Sequence, residues 1–282
     1  MDVAVSLGEG ALGEVRDYDF IFPLGAACSC SQSLRLANLQ FASFPCDWLY
    51  GGTPVARAQG LADGFVGWFD RTALVKHDVP WNLEHEPWRN TANGIVFKHD
   101  FDWNAPLESL LPGVREKYAR RLARLDKLIS AAKTVLVVWL NPPTVPAAEA
   151  AELAAAREIL LTRWPGVAFD VLSLVCERGR SFADRTDSEM DGIRTIAWDY
   201  DDGREAFIDN AKMAAFLASE YAMADYRSEE ERRGWPARQK ALKYAQYNAT
   251  TWWGYVTNRT VWRLYRHFRR AVERRGLQGL GR

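Results

Sequence analysis

Cys28 and Cys30 stand at the start of an expected helix, in the stretch FPLGAACSCSQSLRL from Phe22 to Leu36. A thiol attacks as its thiolate, and the positive end of a helix dipole favours that anion. A strand, a glycine turn and then a cysteine in the first helical turn supply that setting. Gly25 lets the backbone turn tightly, and the N–H groups around Ala26, Ala27 and Cys28 are expected to face a developing oxyanion. Cys30 lies two residues on, roughly 200° around the helix, so the two thiols face different ways. Cys28, nearest the turn, is the candidate nucleophile. The competing expectation is that both cysteines are small apolar fillers of the core.

A nucleophile needs a base. The histidines are His77, His85, His99 and His267. In GIVFKHDF, Gly94 to Phe101, strand alternation puts Ile95, Phe97 and His99 on one face, so His99 sits where a buried strand ends. It is either the general base or a core histidine satisfied locally. Asp100 points the opposite way in an ideal strand and orients the imidazole only if the strand has ended. Asp47, Asp170, Asp199 and Asn210 are other orienters, and His77 or His85 can line the pocket instead of His99. Asp47, in FPCDWLY, is either a helix N-cap or a deliberately placed charge.

These residues need elements to position them. DYDFIFPLG, Asp17 to Gly25, reads as a buried strand, and residues 28–38 read as a helix. Residues 40–115 read as irregular, rich in Trp, Pro and His, with one strand at Gly94 to Phe101. Val114 to Ala132 carries apolar residues at helical spacing. Thr134 to Leu140 is a continuous apolar run, as in a strand buried on both faces. Then come a helix from Pro146 to Trp164, strands at Val167 to Val175 and Ile193 to Tyr200, and a helix from Arg204 to Ala222. This alternation predicts an α/β fold, a mostly parallel sheet with flanking helices. Ligands of such sheets bind beyond the carboxyl ends of the strands. Gly25, Ala27, Asn141 and Asp199 fall at such ends and, with Trp48, are the candidate substrate-binding residues.

The formal charge is zero but unevenly spread. Residues 227–282 hold 14 basic and 4 acidic residues, a balance of +10, which leaves −10 on residues 1–226. The division expected is an α/β core domain over 1–226 and a basic helical extension over 227–282, with Ser228 to Pro236 as connector. Residues 261–276 read as a basic amphipathic helix. Such a helix can lie on an anionic membrane or pack back onto the acidic body. No recognised nucleic-acid motif accompanies the charge, so nucleic acid is not an expected partner. The start of the chain lacks the basic n-region of a signal peptide, and no apolar run approaches the ~18 residues of a membrane span. The cytosol and reduced thiols are therefore expected. One C-x-C and two distant cysteines, Cys46 and Cys176, make no zinc pattern, and neither metal nor cofactor is expected. The 12 tryptophans sit partly in mixed polar stretches of the kind that line pockets.

The blocks YDFIFPLGAACSCSQSLR, FASFPCDWLY, NGIVFKHDF, KYARRLARL and DNAKMAAFL occur in the order of a bacterial family of unknown function that carries the label papain-like cysteine peptidases. The chain resembles that family over roughly residues 17–222. The pattern is Ser-Leu-Gly-x-x-Cys, then Pro-Phe-Asp-Trp, then Phe-x-His-Asp-Phe. The matching positions are Gly25, Cys28, Asp47, Trp48, His99 and Asp100, while Pro23 and Cys46 depart from it. The resemblance implies a thiol hydrolase or acyl-transfer enzyme with Cys28 as nucleophile and His99 as base, acting on a small-molecule, peptide or glycan substrate. Two alternatives stay open. One is a carbohydrate-active enzyme working through Asp47, His99 and Asp100, and the other is a non-catalytic module with a Trp-lined pocket.

Overall fold

The computed structural model describes residues 15–77, 85–102, 105–141, 147–176, 186–198 and 210–250. The elements in chain order are β1 (Arg16–Tyr18), β2 (Phe20–Pro23), α1 (Cys28–Leu36), β3 (Leu49–Gly51), α2 (Pro54–Asp63), β4 (Leu74–Lys76), β5 (Trp88–Asn90) and β6 (Ile95–Phe97). They continue as α3 (Leu107–Ser130), β7 (Thr134–Asn141), α4 (Ala150–Arg163), β8 (Ala168–Cys176), β9 (Thr186–Met190), β10 (Ile193–Trp198), α5 (Asn210–Glu220), β11 (Tyr221–Met223) and α6 (Glu229–Thr250).

The fold is α/β. Its main sheet has the order β2-β7-β8-β10-β9, in which the first four strands are parallel and β9 pairs antiparallel at the edge. The apolar run of β7 explains its central place, because both of its faces are covered. Val135, Val137 and Trp139 join Phe169 and Val171 under α3 and α4, through residues such as Leu125, Ile129, Leu153 and Leu160. Leu136, Val138 and Leu140 join Leu172, Leu174 and Ile196 under α1 and α5, through Cys30, Leu34, Met213 and Phe216. Each such side chain contributes about 1.5–3 kcal/mol on burial, so two apolar layers clamp the sheet between helices.

The expected long first strand is two strands. Asp19 breaks it, turning out to accept from the N–H groups of Lys133 at 2.7 Å and Thr134 at 3.0 Å, which fixes the start of β7 beside β2. Residues 40–102 are also more regular than expected. They hold a four-stranded antiparallel sheet, β3-β6-β5-β4, and the helix α2. Strands of three residues are too short to show alternation, which is why composition alone hid them. The strand expected at Gly94 to Phe101 is only β6.

Ser228 to Pro236 is not a connector but the beginning of α6. Ser228 and Glu231 form a reciprocal capping box, with N–H to side-chain oxygen distances of 2.9 and 3.2 Å. Further along, Trp235 donates from Nε1 to Asn38 Oδ1 at 2.7 Å and packs edge-on against Phe41, so α6 is strapped across the end of α1. Residues 261–276, His267 and Asp199 lie outside the described residues, as does the side chain of Asn210. Among the described residues no helix is long and apolar enough to cross a membrane.

Candidate functional site

The site is built where β2 ends. Beyond Pro23 the chain stays beside β7 for three more residues. Leu24 and Gly25 both donate to the Val138 carbonyl, at 2.9 and 3.1 Å, and Ala26 donates to that of Leu140 at 3.0 Å. Gly25 then turns the backbone with φ of +38°, where a Cβ would stand 2.9 Å from Cys30 Cβ. Ala27 is extended and caps α1 without any side-chain bond, and the first turn carries no acidic residue. The positive end of α1 therefore faces the carboxyl ends of the central strands, with Cys28 as its first residue.

The two cysteines separate as their spacing requires. Cys30 is a packing residue against the sheet, its Sγ 3.5 Å from the Val138 carbonyl oxygen, and burial pushes its thiol far up. Cys28 is 7% exposed. Burial raises its thiol above the ordinary value, while the Lys98 charge, the N–H groups of Cys28 and Ser29 at the sulfur, and the Arg57 charge pull it back down. Of the amides expected to face an oxyanion, that of Ala26 is already bonded to the Leu140 carbonyl of β7.

Arg57, from α2, holds this turn in place. It is fully buried. Its Nη1 donates to the carbonyls of Leu24 at 2.8 Å and Cys46 at 3.4 Å, and its Nη2 donates to that of Gly51 at 2.8 Å. The Gly51 N–H in turn donates to the Ala26 carbonyl at 3.0 Å. These bonds pin β3 against the Cys28 turn, and β6 follows because Leu49 and Phe97 are paired in register. The residue after β6 is Lys98, 3% exposed. Its ammonium sits 3.4 Å from the centre of the Tyr50 ring, a cation–π arrangement.

His99 comes next and is half-buried. Trp48 meets it edge-on at 5.7 Å between ring centres, and His85 lies 6.0 Å away. Burial lowers its pKa first. Asp100 opposes that shift, and His85, Lys98 and Lys117 add to it. The shift favours the neutral imidazole, the form a general base needs. Lys98 thus acts on both Cys28 and His99. Asp100 is ion-paired with Lys117 and accepts from Tyr118 Oη at 3.2 Å.

Asp47 is not a helix N-cap but a buried, paired charge. The N-cap of α2 is Thr53. Asp47 closes the turn that begins at Phe44, whose N–H it accepts at 3.0 Å, and pairs with Arg35 at 2.7 Å and Gln40 Nε2 at 2.9 Å. Burial pushes its carboxyl up, against the pull of Arg35. Asn141 is buried at the end of β7 and accepts from Trp139 Nε1 at 3.3 Å. Asp170 is at the opposite end of the sheet, near the start of β8, and accepts from Tyr18 Oη at 2.8 Å, so it does not orient His99.

Gly25, Ala27 and Cys28 lie on one turn, which the Gly51 N–H bonds to β3, and Lys98 packs on Tyr50 of that strand. Trp48 meets His99 edge-on, and Asp100 follows His99 in the chain. Lys98, Tyr50, Arg57 and Arg35 were missed by sequence reasoning. A lysine inside the apolar run GIVFKHDF is a usable signal for the first of them. An arginine beside Ala58 and Leu61 on the inner face of α2 is a signal for Arg57. All four cysteines are free and buried, and among the described residues no group of three or more His, Cys, Asp or Glu is arranged to hold a metal ion. Comparison of the chain with protein-family models, with curated proteins and with solved structures finds no match.

Proposed function

We propose that the protein is a cysteine-dependent hydrolase or acyl-transfer enzyme, with Cys28 as nucleophile and His99 as base. The observation that supports it most is the place of Cys28 as the first residue of α1, just past the Gly25 turn and at the carboxyl end of the central strands. A helix N-terminus and a cation are what stabilise a thiolate and, after attack, an oxyanion. The order of the motif blocks, with its resemblance to a family of unknown function labelled cysteine peptidases, supports the same reading. In the reaction, His99 takes the thiol proton and sulfur bonds to the substrate carbonyl carbon. The tetrahedral oxyanion is held by the amides of Cys28 and Ser29 and by Lys98. Collapse expels an amine, alcohol or thiol that takes the proton back from His99. Water or a second nucleophile, deprotonated by His99, then releases the acyl group. Catalytic hydrogen bonds often tighten only when substrate binds, and in this reading the His99 ring closes on the sulfur at that stage. The working compartment is the cytosol, where thiols stay reduced.

The carbohydrate reading has less support. It needs Asp47 and Asp100 for acid/base work, and both are engaged in ion pairs, with Arg35 and with Lys117. A panel of activated esters, thioesters and peptide amides, read by intact mass, separates the two. An acyl adduct on Cys28 that disappears in Cys28→Ala is expected. Turnover that survives Cys28→Ala without any adduct would overturn the proposal.

A further inference from the structure

The two proposed reacting groups sit on separate elements, Cys28 at the head of α1 and His99 just past β6. One side chain links the far end of α1 to the surroundings of His99. Arg35, in the last turn of α1, donates from Nη2 to Asp47 Oδ2 at 2.7 Å and to the Ala42 carbonyl and Ser43 Oγ, both at 3.2 Å. Its Nε donates to Ser31 Oγ, also at 3.2 Å. The guanidinium lies 5.6 Å from the centre of the Trp48 ring, and Trp48 in turn meets His99 edge-on at 5.7 Å. Asp47, the neighbour of Trp48 in sequence, is 0% exposed and bonded to Gln40 Nε2 and the Phe44 N–H besides Arg35.

From this chain of contacts we infer that Arg35 is a positioning residue, holding Trp48 against His99 so that the imidazole keeps a fixed place relative to the helix that carries Cys28. A structural ion pair alone needs only the Asp47 bond. The guanidinium does more, since it bonds α1 and the 42–47 turn while its carbon lies 5.6 Å from the centre of the Trp48 ring. Lysine has one compact donor head and cannot do both. The inference rests on the thiol-enzyme reading for its consequence in catalysis, but not for its geometry.

The test uses the full chain with Arg35→Lys and Arg35→Met. The lysine variant keeps a cation beside Asp47 and is the one expected to fold if the methionine variant does not. Two readouts are taken on the folded protein. One is the His99 ring resonance by NMR, assigned with His99→Gln and calibrated with Trp48→Leu, which shows what losing the Trp48 ring does. The other is the pH–rate profile of Cys28 alkylation by iodoacetamide. The expected result is a His99 resonance displaced in the direction seen in Trp48→Leu, with Cys28 alkylation slowed on the order of tenfold or more at pH 7, as loosened geometry implies. A folded Arg35→Lys whose His99 resonance stays at its wild-type position would overturn the inference. If the resonance moves while Cys28 alkylation proves independent of His99 in the wild type, the positioning stands and the thiol-enzyme reading falls.

Discussion

Arg57 Nη1 donates to the Leu24 carbonyl at 2.8 Å, joining α2 to the end of β2 one residue before the Gly25 turn. The same guanidinium bonds the Gly51 and Cys46 carbonyls, so one buried cation fixes three pieces of chain around Cys28. Burial lowers its pKa, yet arginine keeps its proton at any working pH. Arg57→Met fills much of the volume but leaves buried carbonyls without a donor, each costing about 1–3 kcal/mol. A loss of about 3–5 kcal/mol is expected in urea unfolding, and a loss below about 1 kcal/mol would show that the three carbonyls find other donors.

Gly25 is required twice over. Its φ of +38° disfavours any L side chain, and an added Cβ would meet Cys30 Cβ at 2.9 Å. Gly25→Ala is expected to lower stability by about 1–3 kcal/mol. It should also slow Cys28 alkylation more than it changes Cys176, which lies on β8. Melting temperature and residue-resolved mass spectrometry check both parts, and equal effects on the two cysteines would show that the turn does not aim Cys28.

The depressed pKa of His99 has a signed consequence for stability. The unfolded chain takes a proton on this histidine near its ordinary 6.5, while the folded chain resists it to lower pH. Folding stability is therefore whole above that value and falls as the pH drops through it towards the folded pKa, where the loss levels off. In His99→Gln the decline between pH 7.5 and 5.5 should be shallower than in the wild type. Parallel stability curves for the two proteins would mean that His99 titrates as it does in the unfolded chain.

Much of the fold was legible because its main strands carry one unambiguous signal. Thr134 to Leu140 is apolar on both faces, so the sequence could place β7 in the middle of a parallel sheet. Val114 to Ala132 shows its helical stripe plainly, although α3 starts seven residues earlier, at Leu107. The antiparallel sheet was not legible, since its strands are three residues long and their partners are set by turns and by Arg57 rather than by alternation. At the site, Gly25 and Cys28 could be placed because a strand, a glycine and a helix start are local features. Lys98 carried a local signal, a lysine in an apolar run, but its partner Tyr50 is set by the pairing of β3 with β6. Arg35 was not legible, because its role comes from the fold of the 41–48 segment onto α1. The mistaken connector at Ser228 was readable after all, as Ser-x-x-Glu at the head of a helix.

The rate of alkylation at each of the four cysteines, followed against pH by mass spectrometry in wild type and His99→Ala, tests the central claim most directly. Cys28 is expected to react faster than Cys30, Cys46 and Cys176, although burial raises its own thiol. Its rate should rise with the deprotonation of a group below pH 6.5, the ordinary imidazole value, and fall on the order of a hundredfold in His99→Ala. Cys30 and Cys46 should stay slow below pH 9, since burial holds their thiols up, to about 12 for Cys46. A Cys28 as inert as Cys30, or one whose profile is the same with and without His99, would contradict the claim and leave the Gly25–Cys28 turn as packing alone.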